Sequence, residues 1–126
     1  MAKVLVVDDN PLNIELAADV LELDGFEVVL AESGEEGVAR ALESSPDLVL
    51  MDMRMPGMSG LDAMQELRRH EQTRDIPVVV LTASAMKGDR ERLLREGFDG
   101  YLEKPIDFNT FTDSVRDFLQ GERESV

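Results

Sequence analysis

Residues with chemical capacity stand directly after four short apolar runs. Asp8-Asp9 follows residues 4–7, Asp52 follows 48–51, Thr82 follows 76–81, and Glu103-Lys104-Pro105 follows 101–102. Carboxylates gathered from two such ends would repel one another by roughly 4 kcal/mol per pair at about 4 Å and an effective dielectric near 20. An ionised cluster of this kind persists when a cation occupies it, and oxygen-only donors select a hard ion such as Mg2+. Lysine adds a fixed positive charge and threonine a hydroxyl donor. Together these groups suit a phosphoryl group, whose oxygens need charge neutralisation while a carboxylate acts as nucleophile. Taken singly each has a plainer reading: a solvated Asp-Asp turn, a Lys-Pro loop, a threonine satisfying a backbone group. The conjunction at four successive strand ends carries the argument.

Two periodicities alternate between those positions. The apolar runs at 4–7, 28–31, 48–51, 76–81 and 101–102 are nearly continuous rather than alternating, as in strands covered on both faces. Between them, residues 13–23, 34–44, 61–69, 90–96 and 111–119 have helical spacing, with stripes such as Ile14, Ala17, Ala18, Leu21 and Phe111, Val115, Phe118, Leu119. Ser33-Gly-Glu-Glu36 reads as a capping box and Ser59-Gly-Leu-Asp62 as a weaker one. Gly25 and Gly97, each followed by Phe, sit where a helix ends in a left-handed residue. Strand and helix repeated five times predict a parallel sheet between two helical layers, with ligands bound beyond the carboxyl ends of the strands.

Composition limits the alternatives. The chain has 126 residues, 43% hydrophobic and 32% charged, which is the balance of one globular domain. It has no cysteine, which excludes disulfides, thiol catalysis and cysteine-ligated zinc, and fits a reducing, cytoplasmic setting. Its net charge of −14 argues against direct binding to nucleic acid or anionic membrane. Up to Ala63 there are 3 basic and 14 acidic residues, so the first half is the more acidic. No run is long enough for a membrane span, and no repeat, linker or secretory signal is visible. Residues 1–121 read as one domain and 122–126 as a polar tail.

In order and spacing, four segments resemble the receiver domain of bacterial two-component response regulators. They are Val-Leu-Val-Val-Asp8-Asp9-Asn, Pro46-Asp-Leu-Val-Leu-Met-Asp52-Met-Arg-Met-Pro56-Gly, Pro77-Val-Val-Val-Leu-Thr82-Ala83 and Gly100-Tyr101-Leu-Glu-Lys104-Pro105. The resemblance runs from Lys3 to about Leu119. It implies a doubly wound, flavodoxin-like α/β fold with five parallel strands in the order 2-1-3-4-5 and five helices. It implies that Asp52 accepts a phosphoryl group from a histidine kinase or histidine phosphotransfer protein. Asp9 is then the direct Mg2+ ligand, Asp8 holds the ion largely through water, and the backbone carbonyl of Arg54 is a further ligand. Thr82 matches the switch hydroxyl, Ala83 the small residue beside it, Lys104 the counter-charge, and Tyr101 the aromatic that moves inward on activation. A cis Lys104-Pro105 bond is expected, and Arg54 and Ser84 occupy positions that tune acyl-phosphate lifetime. The resemblance further implies a downstream protein partner on the face of the fourth helix, fifth strand and fifth helix, and kinase contact along the first helix, where Leu16 is expected to be exposed.

Other residues have plainer readings. Met51, Met53, Met55 and Met58 read as packing, His70 as surface, and Lys87, Arg90, Arg92 and Arg95 as either a solvated or a docking face. Within the receiver reading, the chain is expected to act as a stand-alone, non-enzymatic switch; a receiver cut from a hybrid kinase or larger regulator is the alternative. Motor control, a phosphorelay step and cell-cycle regulation all stay open, with residues 82–89 leaning towards cell-cycle and hybrid-kinase receivers. A small aspartyl-phosphate phosphohydrolase is the reading from a different class. It needs Asp-x-Asp, whereas Asp52-Met53-Arg54 places arginine at the second position. No GxxxxGK loop or GxGxxG fingerprint supports a nucleotide-binding module.

Overall fold

The alternation of periods becomes ten elements in the computed structural model, which describes residues 2–83, 87–104 and 106–120, with Lys87 described in its backbone only. They are β1 (Lys3–Val7), α1 (Pro11–Leu23), β2 (Glu27–Ala31), α2 (Gly34–Ser44), β3 (Leu48–Asp52), α3 (Gly60–Arg69), β4 (Val78–Thr82), α4 (Lys87–Glu96), β5 (Gly100–Glu103) and α5 (Phe111–Leu119). All strands are parallel, in the order β2-β1-β3-β4-β5. The expectations for the Lys104-Pro105 bond, for Ser84 and for the tail from 121 lie outside the described residues.

The three central strands are buried throughout apart from Lys3, which explains their unbroken apolar runs. The edge strands β2 and β5 are only partly covered, because an edge strand has one neighbour and a shorter roof. Side chains alternate between the two faces. Val4, Val6, Leu48, Leu50, Val79 and Leu81 pack with Ile14, Leu21, Phe111 and Val115 under α1 and α5. Leu5, Val7, Val49, Met51, Val78 and Val80 pack with α2, α3 and α4 on the other face. Met51 and Met55 are buried and Met53 and Met58 half-buried against this second core, so the methionines are packing residues.

Local signals account for most boundaries. Ser33 Oγ accepts from the Glu36 N–H at 3.1 Å, while the Glu36 carboxylate reaches back to the Glu32 N–H at 2.7 Å, one residue beyond the usual capping-box partner. Gly25 (φ 92°) and Gly97 (φ 119°) take the left-handed conformation that ends α1 and α4. Several ends differ from the sequence expectation by one residue and three starts by more: α4 begins at Lys87 rather than 90, and the starts of α1 and β4 also move. α1 begins at Pro11 rather than 13, because Asn10 caps it through its side chain and Pro11 suits the first turn. β4 begins at Val78 rather than 76. Ile76 ends a turn in which its carbonyl accepts from Arg68 at 2.6 Å, and Pro77 has no N–H to give a ladder. Among the described residues no helix is long and apolar enough to cross a membrane.

Candidate functional site

Strand parity selects which side chains meet. Asp8, Asp52 and Lys104 share the parity of Val6, Leu50 and Leu102, so all three leave the sheet's carboxyl edge towards the α1/α5 side. The ladder continues past the strands, with the Asp8 N–H donating to Ala31 O at 3.1 Å and the Lys104 N–H to Thr82 O at 2.7 Å, which fixes both backbones before their side chains turn inward. Because β1 and β3 are neighbours whose helices α1 and α3 lie on opposite faces, a crevice opens at this point. It is a cavity of about 400 Å³ walled by Asp8, Asp9, Asp52, Arg54, Thr82 and Lys104, with Asn10, Asn13 and Ala83 completing its rim.

Within it, one oxygen each from Asp8, Asp9 and Asp52 lie within 4.8 Å of one another. Asp8 and Asp52 are buried and Asp9 is exposed. The Lys104 ammonium stands 3.0 Å from Asp52 Oδ1 and 3.4 Å from Asp8 Oδ2. The Asn10 N–H donates to Asp8 Oδ1 at 3.0 Å, and the Asn10 side chain accepts from the N–H groups of Leu12 and Asn13, so one asparagine both aims Asp8 and starts α1. The Arg54 N–H lies 3.4 Å from Asp52 Oδ1, at the long end of hydrogen-bond range.

Burial pushes the Asp52 carboxyl up from 3.8 to about 6; Lys104 opposes this through a hydrogen bond and its charge, and Asp8 reinforces it. For Lys104 burial acts downward, but contact with Asp52 and with Asp8 outweighs it and holds the ammonium above its ordinary value. One cation between two buried carboxylates therefore leaves the site short of positive charge, which is the condition under which a hard cation fits an all-oxygen donor set.

Thr82, the last residue of β4, lines the cavity and is buried. Tyr101 is not brought to it. Its ring is half-buried on the opposite face against the core of α2, α3 and α4, and its hydroxyl accepts from Arg90 at 2.8 Å. Arg54 is exposed at the rim. Asn10 and Asn13 line the cavity without being candidate site residues in the sequence, and Gly60 backs it, its N–H donating to Met53 O at 2.9 Å. Asn10-Pro11 carried a readable helix-start signal, whereas nothing in one sequence marks Gly60. His70 lies far along the chain on the end of α3, 3.1 Å from Glu66 and partly exposed, as a surface residue.

The family model for the response regulator receiver domain matches residues 4–116. The polar-differentiation response regulator DivK of Brucella ovis is 41% identical over 116 residues, covering 92% of this chain and 94% of that one. Among solved structures, the chemotaxis protein CheY4 of Vibrio cholerae superposes with a TM-score of 0.86 at 29% identity, covering 92% of this chain and 97% of the other. The receiver domain of the sensor histidine kinase PA1611 of Pseudomonas aeruginosa PAO1, solved with a magnesium ion coordinated in its active-site cleft, gives 0.85 at 34% identity, over 94% and 98%. With four strand-end motifs folded into one acidic crevice and a family match over nearly all its length, the chain belongs to the response regulator receiver domains of two-component signalling.

Proposed function

We propose that the chain is a phosphoacceptor switch in which Asp52 takes a phosphoryl group from a phosphohistidine on a histidine kinase or histidine phosphotransfer protein. The observation that carries this reading is a buried carboxylate, facing an open cavity, with an ammonium at 3.0 Å and two further carboxylates within 4.8 Å. An Asp52 oxygen attacks phosphorus, and the phosphorus–nitrogen bond breaks with its electron pair going to the histidine ring. The same carboxylate later leaves when water attacks the phosphorus, returning inorganic phosphate and free Asp52. Lys104 shifts its ammonium onto a phosphoryl oxygen, and the Thr82 hydroxyl donates to another. Asp8, Asp9, Asp52 and the Arg54 carbonyl would hold Mg2+, which when bound neutralises charge shared between the carboxylate and the phosphoryl oxygens. The kinship with a receiver domain solved with magnesium in its cleft supports that assignment.

The donor's approach is supported by a second cavity of about 450 Å³ beside the first, lined by Asn13, Leu16, Ala83, Lys104, Ile106 and Phe108. Leu12 and Leu16 on α1 are 63% and 41% exposed, so an apolar donor surface can rest against α1 while its histidine reaches Asp52. Output passes to a protein partner through the face of α4, β5 and α5, in a cytoplasmic setting. Kinship with polar-differentiation regulators favours a developmental role over motor control.

Incubation with acetyl phosphate and Mg2+ should add the mass of one phosphoryl group, and Asp52→Asn should add none. Continuous phosphate release without a detectable adduct would favour a phosphohydrolase. Arg54 stands at the rim where water must enter. Its replacement by alanine should shorten the acyl-phosphate half-life severalfold in a phosphate-release assay, and an unchanged half-life removes Arg54 from the hydrolytic step.

A further inference from the structure

We propose that Arg90 is a latch that holds Tyr101 in its surface position, so that the switch must release this contact to turn on; the inference rests on the phosphoacceptor reading above. Arg90 lies in the first turn of α4 and donates from Nη1 to the Tyr101 hydroxyl at 2.8 Å. Its guanidinium carbon also lies 5.6 Å from the centre of the Tyr101 ring, within reach of a cation–π contact. Two interactions therefore join one side chain of α4 to one side chain of β5. The neighbouring Arg92 and Arg95 face Asp89 at 3.6 Å and Glu91 at 3.9 Å along their own helix. Those pairs travel with α4, whereas the Arg90 contact bridges two elements.

The placement of Tyr101 makes that bridge sensitive to the state of the site. In the β4–β5 register Tyr101 pairs with Val80 and Thr82 with Glu103, so Tyr101 and Thr82 stand diagonally on one face of the sheet. Thr82 also walls the phosphoryl cavity. The resemblance to receiver domains implies that a Thr82 hydroxyl drawn to a phosphoryl group lets the Tyr101 ring turn inward, and the shared face of the two residues is compatible with that motion. A ring turning inward carries its hydroxyl away from Arg90, whose Cα is fixed on α4. The latch is thus satisfied in the resting arrangement and broken in the other, which is the differential interaction a switch equilibrium requires.

The test uses beryllofluoride with Mg2+ as a stable phosphoryl mimic, and the chain's composition supplies the probe. It has one tyrosine and no tryptophan, so tyrosine emission reports Tyr101 alone. In titrations followed by emission, with occupancy of the site read separately by fluorine NMR, Arg90→Ala should reach its midpoint at roughly tenfold lower beryllofluoride than wild type. The same change made in a Tyr101→Phe background, followed by fluorine NMR, should shift the midpoint clearly less, since the hydroxyl acceptor is gone. An equal or higher midpoint in Arg90→Ala overturns the latch. So does a full shift that survives loss of the hydroxyl, or an occupied site with unchanged Tyr101 emission. Failure of wild type and variant alike to show bound beryllofluoride by NMR overturns the phosphoacceptor reading instead.

Discussion

Near neutral pH, Asp52→Asn is expected to unfold at higher denaturant than the wild type, by roughly 2–3 kcal/mol, although under the proposed function it loses the phosphoacceptor. The cause is the cost of keeping a charge at this place. Burial raises the Asp52 carboxyl to about 6, against 3.8 for the ordinary group, and Asp8 adds to the rise while Lys104 only partly offsets it. Folded protein therefore holds a proton that unfolded chain has released in the interval between those values. Where the native state binds more protons, stability falls as pH rises, so the cost of Asp52 accumulates from about pH 4 to about pH 6 and stays constant above. Below that interval both states are protonated, and the stabilisation by asparagine should vanish. Urea titrations of both proteins across the range isolate this contribution, because every other carboxyl is common to them. A variant gain that is absent near neutrality, or that persists unchanged under acid conditions, contradicts the electrostatic account. The same imbalance explains why a bound cation would stabilise the fold: it supplies the positive charge that Lys104 alone does not provide.

The second large effect is expected at Gly60, the first residue of α3. Its N–H donates to Met53 O at 2.9 Å, which draws the start of the helix onto the end of β3. A Cβ at this position would lie 2.3 Å from the Asp52 carbonyl oxygen, 2.9 Å from Met53 Cα and 3.0 Å from the Asp52 carbonyl carbon. All three are backbone atoms, so no side chain can swing aside. Gly60→Ala must push α3 away from β3 or displace the backbone that carries Asp52. Overpacking of this kind costs about 3 kcal/mol. Denaturant unfolding should register that loss, and acetyl-phosphate labelling of the surviving folded protein should slow because Asp52 is misplaced. Gly88→Ala is the control: a Cβ there meets nothing within 4 Å inside α4, and the helix should gain up to about 1 kcal/mol. Equal effects of the two substitutions would show that close backbone approach is not what Gly60 provides.

Most of the molecule was legible before folding, for reasons that differ by region. The central strands are covered on both faces and so had to be apolar without interruption, which made 48–51 and 78–81 visible in the sequence. Residues 34–44 and 111–119 coincide with α2 and α5 because each begins or continues on strong local signals, Ser33 to Glu36 in one case and a buried Phe111, Val115, Phe118 stripe in the other. Hydropathy places the start of α1 late, since Asn10 and Pro11 are polar or neutral and act through capping rather than burial. The apolar character of residues 76 and 77 extends the strand run in the sequence, whereas the Ile76 carbonyl is taken by Arg68, eight residues earlier at the end of α3.

The sequence by itself determined the repeated strand–helix order and the chemical identity of the groups at the strand ends, because both depend on residue type and on spacing along the chain. Only the tertiary structure decided which of those groups meet. Parity and register bring Asp8, Asp52 and Lys104 to one side of the sheet and leave Tyr101 on the other, in contact with Arg90 from a different element. Burial then moves Asp52 far from its ordinary acidity. Distance and dielectric between residues remote in the chain set these outcomes, and neither quantity exists until the chain is folded.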